Sequence, residues 1–262
     1  MVSSGGRVLV TGGGSGIGAA VARRFGADGA QVTVCDLDTR GAEGVAAAIV
    51  NGGGRAEAVM LDVTDAEALE ALADRLLSEG GLDHVICCAG IASRHTIPQM
   101  SADQWRRVVD VNLTGVFLTL KAGARVMRGE GSITAISSVA AEHVAYMSGA
   151  HYAATKAALT GLVRHAAFEL GRRGVRVNAV APGPMRNRMG GGDIPAERQA
   201  ASARNLPLQR VVEPEDVANV CAFLASPAAR AVSGVYLPVD GGFLTSRGAP
   251  YREYFQLHEE AF

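Results

Sequence analysis

The chain has 262 residues, 48% of them apolar, with 33 glycines and a net charge of −1. That is enough apolar material for the core of one α/β domain, while a near-neutral balance gives no electrostatic support for binding nucleic acid or an anionic membrane. No apolar run reaches the ~18 residues that span a bilayer, the first residues lack the apolar core of a signal peptide, and Cys35, Cys87, Cys88 and Cys221 show no metal-binding spacing. The expectation is a soluble cytoplasmic protein with free thiols and no metal.

Strand-like and helix-like patterns alternate along the chain. Residues 7–11 are a short, mostly apolar run, residues 17–28 have a helical pattern, and residues 31–35 form a second strand. An alanine-rich helix at 40–50 precedes a strand at 56–61. Residues 65–79 repeat leucine at helical spacing, with Leu69, Leu72, Leu76 and Leu77 on the apolar face. A fourth strand covers 83–88, and adjacent Cys87 and Cys88 point to opposite faces if they lie in it. Ser101 or Thr96 caps a helix running to about Met127. Residues 131–137 are the fifth strand, 150–172 a long helix, 175–180 the sixth strand, and 235–239 the last. Pro214 opens a helix through Leu224, at a position where its missing N–H costs nothing.

The strands are apolar throughout rather than alternating, as in sheets buried on both faces. Repeated β–α–β units predict a parallel sheet of about seven strands with helices on both sides. Two segments break the alternation. Residues 182–207 are rich in Gly, Pro and Arg and read as a lid, near 183–207, over a substrate site. Residues 243–262 are a tail carrying Tyr251, Tyr254, Phe255 and Phe262, which predicts packing on a neighbouring subunit or over its own site. No linker divides the chain, so 1–262 reads as one domain.

The first strand runs into Thr11-Gly12-Gly13-Gly14-Ser15-Gly16-Ile17-Gly18 and then a helix. Glycines bring backbone N–H groups close to a ligand, and the helix offers its positive end to a pyrophosphate. Far along the chain, Tyr152 and Lys156 are four residues apart, on one face of the long helix. A free phenol has a pKa of about 10 and is a poor base at neutral pH; a nearby ammonium favours its ionised form. The Thr-Gly-x-x-x-Gly-x-Gly and Tyr-x-x-x-Lys patterns together resemble the short-chain dehydrogenase/reductase family, from Arg7 to about Phe243. The resemblance implies a Rossmann-type doubly wound fold.

It also implies roles for named residues. Gly12, Ser15, Gly16, Ile17 and Gly18 hold the cofactor phosphates. Asp36, with Leu37 after it, ends the second strand eighteen residues past Gly18, where a carboxylate accepts the ribose hydroxyls of NAD and repels the 2′-phosphate of NADP. No basic residue stands at Leu37 or Ser15, so NAD is the expected cofactor. The alternative is that Asp36 caps the next helix. Asp62 and Val63 lie against the adenine, Ala89 and Gly90 allow close approach, and Pro182, Gly183 and Met185 turn beneath the nicotinamide. Asn187 stands where relatives commonly carry threonine, and Cys87-Cys88 where they carry two asparagines. A thiol is a weak substitute for an amide, so some loss of local rigidity is expected at Cys88.

The expected catalytic set is Asn112, Ser138, Tyr152 and Lys156. Tyr152 is the acid/base, Lys156 supports it and reaches the nicotinamide ribose, Ser138 orients the substrate oxygen, and Asn112 holds a water in a proton relay. Ser138 lies fourteen residues before Tyr152 instead of the usual thirteen, and Ser137 is the alternative, since adjacent strand side chains face opposite ways. Candidates for the substrate pocket are Ser93, Arg94, His95, His143, Val144, Tyr146, Met147, Met185 and Arg188. Ala153, Ala154, Ala157, Ala158 and Gly161 permit close helix approach, and the resemblance implies a homotetramer built on that helix. The leading reading is an NAD-dependent dehydrogenase or ketoreductase acting on a secondary alcohol or ketone. The alternatives are an NADPH-dependent 3-oxoacyl thioester reductase and a dinucleotide-binding sensor without catalysis.

Overall fold

The computed structural model describes residues 6–144, 147–185 and 195–246. Seven strands form one parallel sheet in the order β3-β2-β1-β4-β5-β6-β7. They are β1 (Arg7–Thr11), β2 (Gln31–Asp36), β3 (Arg55–Met60), β4 (Leu82–Cys87), β5 (Met127–Ile136), β6 (Val175–Pro182) and β7 (Tyr236–Val239). Among the described residues the helices are α1 (Gly16–Ala27), α2 (Thr39–Asn51), α3 (Ala66–Ser78), α4 (Ala102–Val109), α5 (Gly115–Val126), α6 (Gly149–Gly171), α7 (Ala196–Arg204), α8 (Pro214–Ala225) and the single turn α9 (Phe243–Ser246).

Alternate residues of each strand feed two apolar layers, one on each side of the sheet. Val8 and Val10 of β1 and Val32 and Val34 of β2 pack against α1, α2 and α8. Leu9, Cys35, Val85 and Ile133 pack on the other side with α3, α5 and α6. Cys87 belongs to the second layer and Cys88 packs against the first, as strand alternation requires. Burial on both faces holds for the central strands only. β3 and β7 are half-exposed along much of their length because they are the sheet's edges. Leu77 also departs from the leucine stripe of α3 and is 51% exposed. It is rotated 100° from Leu76 and sits at the rim of the buried face.

The helix expected from Ser101 to Met127 is α4 and α5 joined by one wide π-turn over Asp110–Thr114. Ser101 is its cap: its hydroxyl accepts from Gln104 N at 3.2 Å, while the Gln104 side chain accepts from Ser101 N at 2.9 Å. Thr96 precedes only a short 3-10 turn and makes no side-chain cap bond. Within the segment read as a lid, α7 is helical and Leu206 is a buried anchor. The tail beyond Ser246, with its four aromatics, lies outside the described residues.

The order reverses at β1 and β4, which are neighbours although β2 and β3 intervene in sequence. In open α/β sheets ligands sit at the carboxyl ends of the strands at such a switch point. Thr11 ends β1 opposite Cys87 of β4, so the glycine loop and the Cys88–Gly90 segment emerge side by side.

Candidate active site

The glycine loop is shaped by what surrounds it. Gly12 has φ +65°, and a Cβ there would lie 2.6 Å from the backbone of Ala89. The loop therefore packs directly on the exit from β4. A Cβ on Gly18 would meet the Gly12 carbonyl oxygen at 2.0 Å, so this position in the first turn of α1 has no room for a side chain. Asp36 closes the loop from β2: one carboxylate oxygen accepts from Gly14 N and the other from Asp38 N, each at 2.9 Å. Asp38, not Asp36, occupies the N-cap of α2, which removes the capping alternative for Asp36. Each Asp36 oxygen keeps acceptor capacity for a further hydrogen bond, and the residue is half-exposed.

Ser15 and Gly16 are exposed at the head of α1, Ser15 makes no side-chain cap bond, and the space where a Gly16 Cβ would stand is open. The first N–H groups of α1 thus point toward open space with the helix's positive end behind them. Ile17 is half-buried and Leu37 is exposed beside Asp36. Asp62 accepts from Thr64 N at 2.9 Å and from its hydroxyl at 2.8 Å, forming a local turn, while Val63 is buried beneath Gly115. An exposed helix start, a glycine-rich loop and a carboxylate at the end of β2 fit a dinucleotide.

Across the switch point, α6 turns Tyr152 and Lys156 inward, with 6% and 2% of their surface exposed. Lys156 Nζ donates to the Ile136 carbonyl at 2.7 Å and lies 5.5 Å from the Tyr152 ring centroid. Ser137 donates to the Lys156 carbonyl at 2.9 Å. That bond turns Ser137 onto the α6 backbone, while the Ser138 hydroxyl accepts from Ala140 N at 3.1 Å and lies near enough to the Tyr152 phenol to favour its ionised form. Tyr236 of β7 donates from its hydroxyl to the Ser138 carbonyl at 2.7 Å, a tie across the sheet that the sequence pattern did not flag.

Asn112 sits in the π-turn and is fully buried. Its Oδ1 accepts from Ile91 N at 2.8 Å and its Nδ2 donates to Ile91 O at 2.9 Å. A Cβ on Gly90 would lie 3.4 Å from that Oδ1 and 3.6 Å from Lys156 Nζ. Asn112, Gly90 and Lys156 therefore converge, although 66 residues separate the first and last in sequence.

Burial dominates the electrostatics. It pushes the Lys156 ammonium down to about 8, with Cys88 acting weakly the other way. Burial also raises the Tyr152 phenol, and the Ser138 hydrogen bond only partly opposes it. In the protein by itself desolvation therefore governs the Tyr152 phenol, with Ser138 opposing it. Burial holds the Cys87 and Cys88 thiols up at about 12, so neither is a thiolate.

Gly183 packs on Asp240, where a Cβ would meet the Asp240 Cα at 2.5 Å, and Met185 bridges to Val212. Pro182 closes β6. Of the pocket candidates, His143 stacks edge-on against Phe243 with centroids 4.9 Å apart. Arg94 and Val144 are exposed, and Met147 is half-buried. Ser93 and His95 join a hydrogen-bonded cluster with His151, a residue that helical geometry directs away from Tyr152's face. Asn187, Arg188 and Tyr146 lie outside the described residues. Among the described residues no helix is long and apolar enough to cross a membrane, and no cluster of metal-ligating side chains occurs.

The sequence pattern of the family described as enoyl-(acyl carrier protein) reductase matches residues 12–244. A cis-4-hydroxycyclohexanecarboxylate dehydrogenase from Sinomonas cyclohexanicum is 42% identical over 239 residues, covering 90% of this chain and 95% of that protein. Among solved structures, a 3-oxoacyl-[acyl-carrier protein] reductase with bound NAD from Brucella melitensis superposes with a TM-score of 0.82 at 36% identity, covering 92% of each chain. A blue fluorescent protein from a metagenomic library, in complex with NADPH, superposes at 0.84 with 32% identity, covering 93% of this chain and 99% of that one.

Proposed function

Because the chain belongs to the short-chain dehydrogenase/reductase family of oxidoreductases, we propose that it transfers a hydride between NAD and a secondary alcohol or ketone, with Tyr152 as general acid/base. The observation that carries this reading is the cluster of half-buried Ser138 with buried Tyr152 and Lys156, across the switch point from the glycine loop. Gly12, Gly16 and the first N–H groups of α1 hold the pyrophosphate, Asp36 the adenosine ribose, and Asp62 and Val63 flank the adenine. Ala89, Gly90, Pro182, Gly183, Met185 and Asn187 surround the nicotinamide end. Bound oxidised dinucleotide supplies the hydride acceptor and a positive ring that favours the tyrosinate.

Within the chain, Ser138 holds the substrate oxygen against the Tyr152 hydroxyl, which takes the proton in oxidation and returns it in reduction. Lys156, charged below about pH 8, keeps positive charge near that oxygen. Asn112 pins the segment after β4 so that Gly90 stays beside Lys156. NAD is favoured over NADP because the Asp36 carboxylate stands where a 2′-phosphate would have to sit, with exposed Leu37 and Ser15 offering it no positive charge. The similarity to a dehydrogenase of a hydroxycyclohexane acid supports a cyclic carbinol as substrate. On α6, Ala154, Ala157, Ala158 and Gly161 are exposed, which supports assembly of a homotetramer through that face.

The test is absorbance at 340 nm with NAD or NADP and a panel of secondary alcohols, against Tyr152→Phe. Turnover with NAD at higher kcat/KM than with NADP, reduced by roughly 10²–10⁴-fold in Tyr152→Phe, is expected. Preference for NADP and a 3-oxoacyl thioester would establish the reductase reading. Cofactor binding with no turnover of either class would establish a sensor.

A further inference from the structure

Ser93 lies three residues beyond Gly90, on the segment leaving β4. Its hydroxyl oxygen is 2.7 Å from Nε2 of His151 and 3.1 Å from Nδ1 of His95. Which atoms donate is fixed by the two ends of this cluster. At one end, Tyr152 N–H points at His151 Nδ1 at 2.8 Å. A backbone N–H only donates, so that Nδ1 carries no hydrogen, and the neutral ring carries its hydrogen on Nε2. His151 is fully buried, and burial lowers its pKa and keeps it neutral. It therefore donates to Ser93.

At the other end, Ser101 N–H donates to Gln104 Oε1 at 2.9 Å, which turns the amide NH₂ of Gln104 toward His95 Nε2 at 3.0 Å. An NH₂ group also only donates. His95 Nε2 must accept, so the hydrogen of a neutral His95 sits on Nδ1 and points at the Ser93 oxygen. Both lone pairs of the Ser93 hydroxyl are thus taken, and its own hydrogen has no partner among the described residues. The packing that permits this is close: a Cβ on Gly149 would lie 2.9 Å from the His151 ring and 3.1 Å from the Ser93 carbonyl oxygen.

We propose that Ser93 is a specificity residue, a hydroxyl committed to donating, which takes an acceptor oxygen that the substrate carries in addition to the oxygen that reacts at Tyr152. The inference rests on the reading of that crevice as the substrate site. His151 and His95 are positioning residues that fix the direction of the Ser93 hydrogen. The substrate class is narrowed to carbinols bearing a second hydroxyl, carbonyl or carboxylate oxygen, because a simple alcohol leaves this donor unpaired.

Two measurements test it. Nitrogen-15 NMR of histidine-labelled protein should find His151 protonated on Nε2 and His95 on Nδ1; a hydrogen on Nε2 of His95 overturns the argument. Calorimetry with NAD-saturated Tyr152→Phe protein should then find at least one cyclohexanediol binding roughly fivefold to tenfold more tightly than cyclohexanol. Adding Ser93→Ala should erase that difference, and Ser93→Thr, which keeps the hydroxyl, should restore it. Equal binding of diols and cyclohexanol, or a preference that survives Ser93→Ala, overturns the proposal. Turnover of the same panel by the unsubstituted protein reads the hydride-transfer proposal separately. Retained discrimination without turnover sinks that reading and leaves this one standing.

Discussion

Around β1 and β2 the site is made of backbone; around β4, β5 and α6 it is made of buried side chains. In the first region Gly12, Gly14 and Gly18 lie against Ala89, Asp36 and the Gly12 carbonyl with no space for a Cβ. In the second, Asn112, Ser137, His151, Thr155 and Lys156 are each almost fully buried and each hydrogen-bonded. The first region is therefore sensitive to added volume and the second to the balance between burial and hydrogen bonding of its polar groups. The two failures are physically distinct, one steric and the other the desolvation cost of an orphaned polar group.

The strongest break of the comparison is Gly18→Ala. The new Cβ would stand 2.0 Å from a backbone oxygen that cannot move independently, so a loss of more than about 3 kcal/mol, or failure to fold, is expected. Thermal unfolding reads it; a near-normal melting temperature would mean that the loop is not sterically set.

A buried polar group away from the site sharpens the second half. His84 is 5% exposed, its Nδ1 is 2.9 Å from the Ser132 hydroxyl, and burial pushes its imidazole from 6.5 down to about 4. Between those values the unfolded chain binds more protons, so stability is lost as pH falls from about 6.5 to 4, by about 3 kcal/mol in all. Urea unfolding across that window should show the loss, and His84→Gln should flatten it. An unchanged slope in the variant would assign the acid limb to other groups.

Lys156→Met separates stability from activity. The lysine's pKa falls from 10.5 to about 8 in the folded chain, so stability rises with pH between those values and the whole penalty is present below pH 8. With the bond to the Ile136 carbonyl also removed, the variant should gain about 2 kcal/mol at pH 7 while losing at least about a hundredfold in kcat. The stability gain should vanish by pH 10.5. Destabilisation at pH 7 would show that the Nζ hydrogen bond outweighs desolvation.

The smallest expected effect is Cys88→Asn. An amide between the first apolar layer and Lys156 should tighten the contact with β1, to which the residue 88 N–H already donates at the Thr11 carbonyl, 3.1 Å away. A gain of about 1 kcal/mol is expected, which differential scanning calorimetry would register as 2–4 °C; an unchanged melting temperature discards the idea.

The fold was legible because its signals are local. Strand runs, helical leucine spacing, Pro214 at a helix start and the glycine loop each follow from short-range geometry, and their bounds agree with the structure to within a few residues. The exposed edges β3 and β7 were not legible, because strand order is a property of the whole sheet. Leu77 was misplaced because a stripe has a rim that periodicity alone does not locate.

The site divides the same way. The sequence by itself determined the glycine loop, the carboxylate at the end of β2 and the four-residue spacing of Tyr152 and Lys156, since these are matters of order and helical pitch. Only the tertiary structure decided that Ser138 rather than Ser137 meets Tyr152, because the choice depends on a bond from Ser137 to a helix nineteen residues away. It also decided that burial raises the Tyr152 phenol, and that His151, Ser93, His95 and Gln104 form one chain of hydrogen bonds. Desolvation and hydrogen-bond direction are set by neighbours in space, and the distance from Ser93 to His151 is 58 residues along the chain but 2.7 Å between their polar atoms.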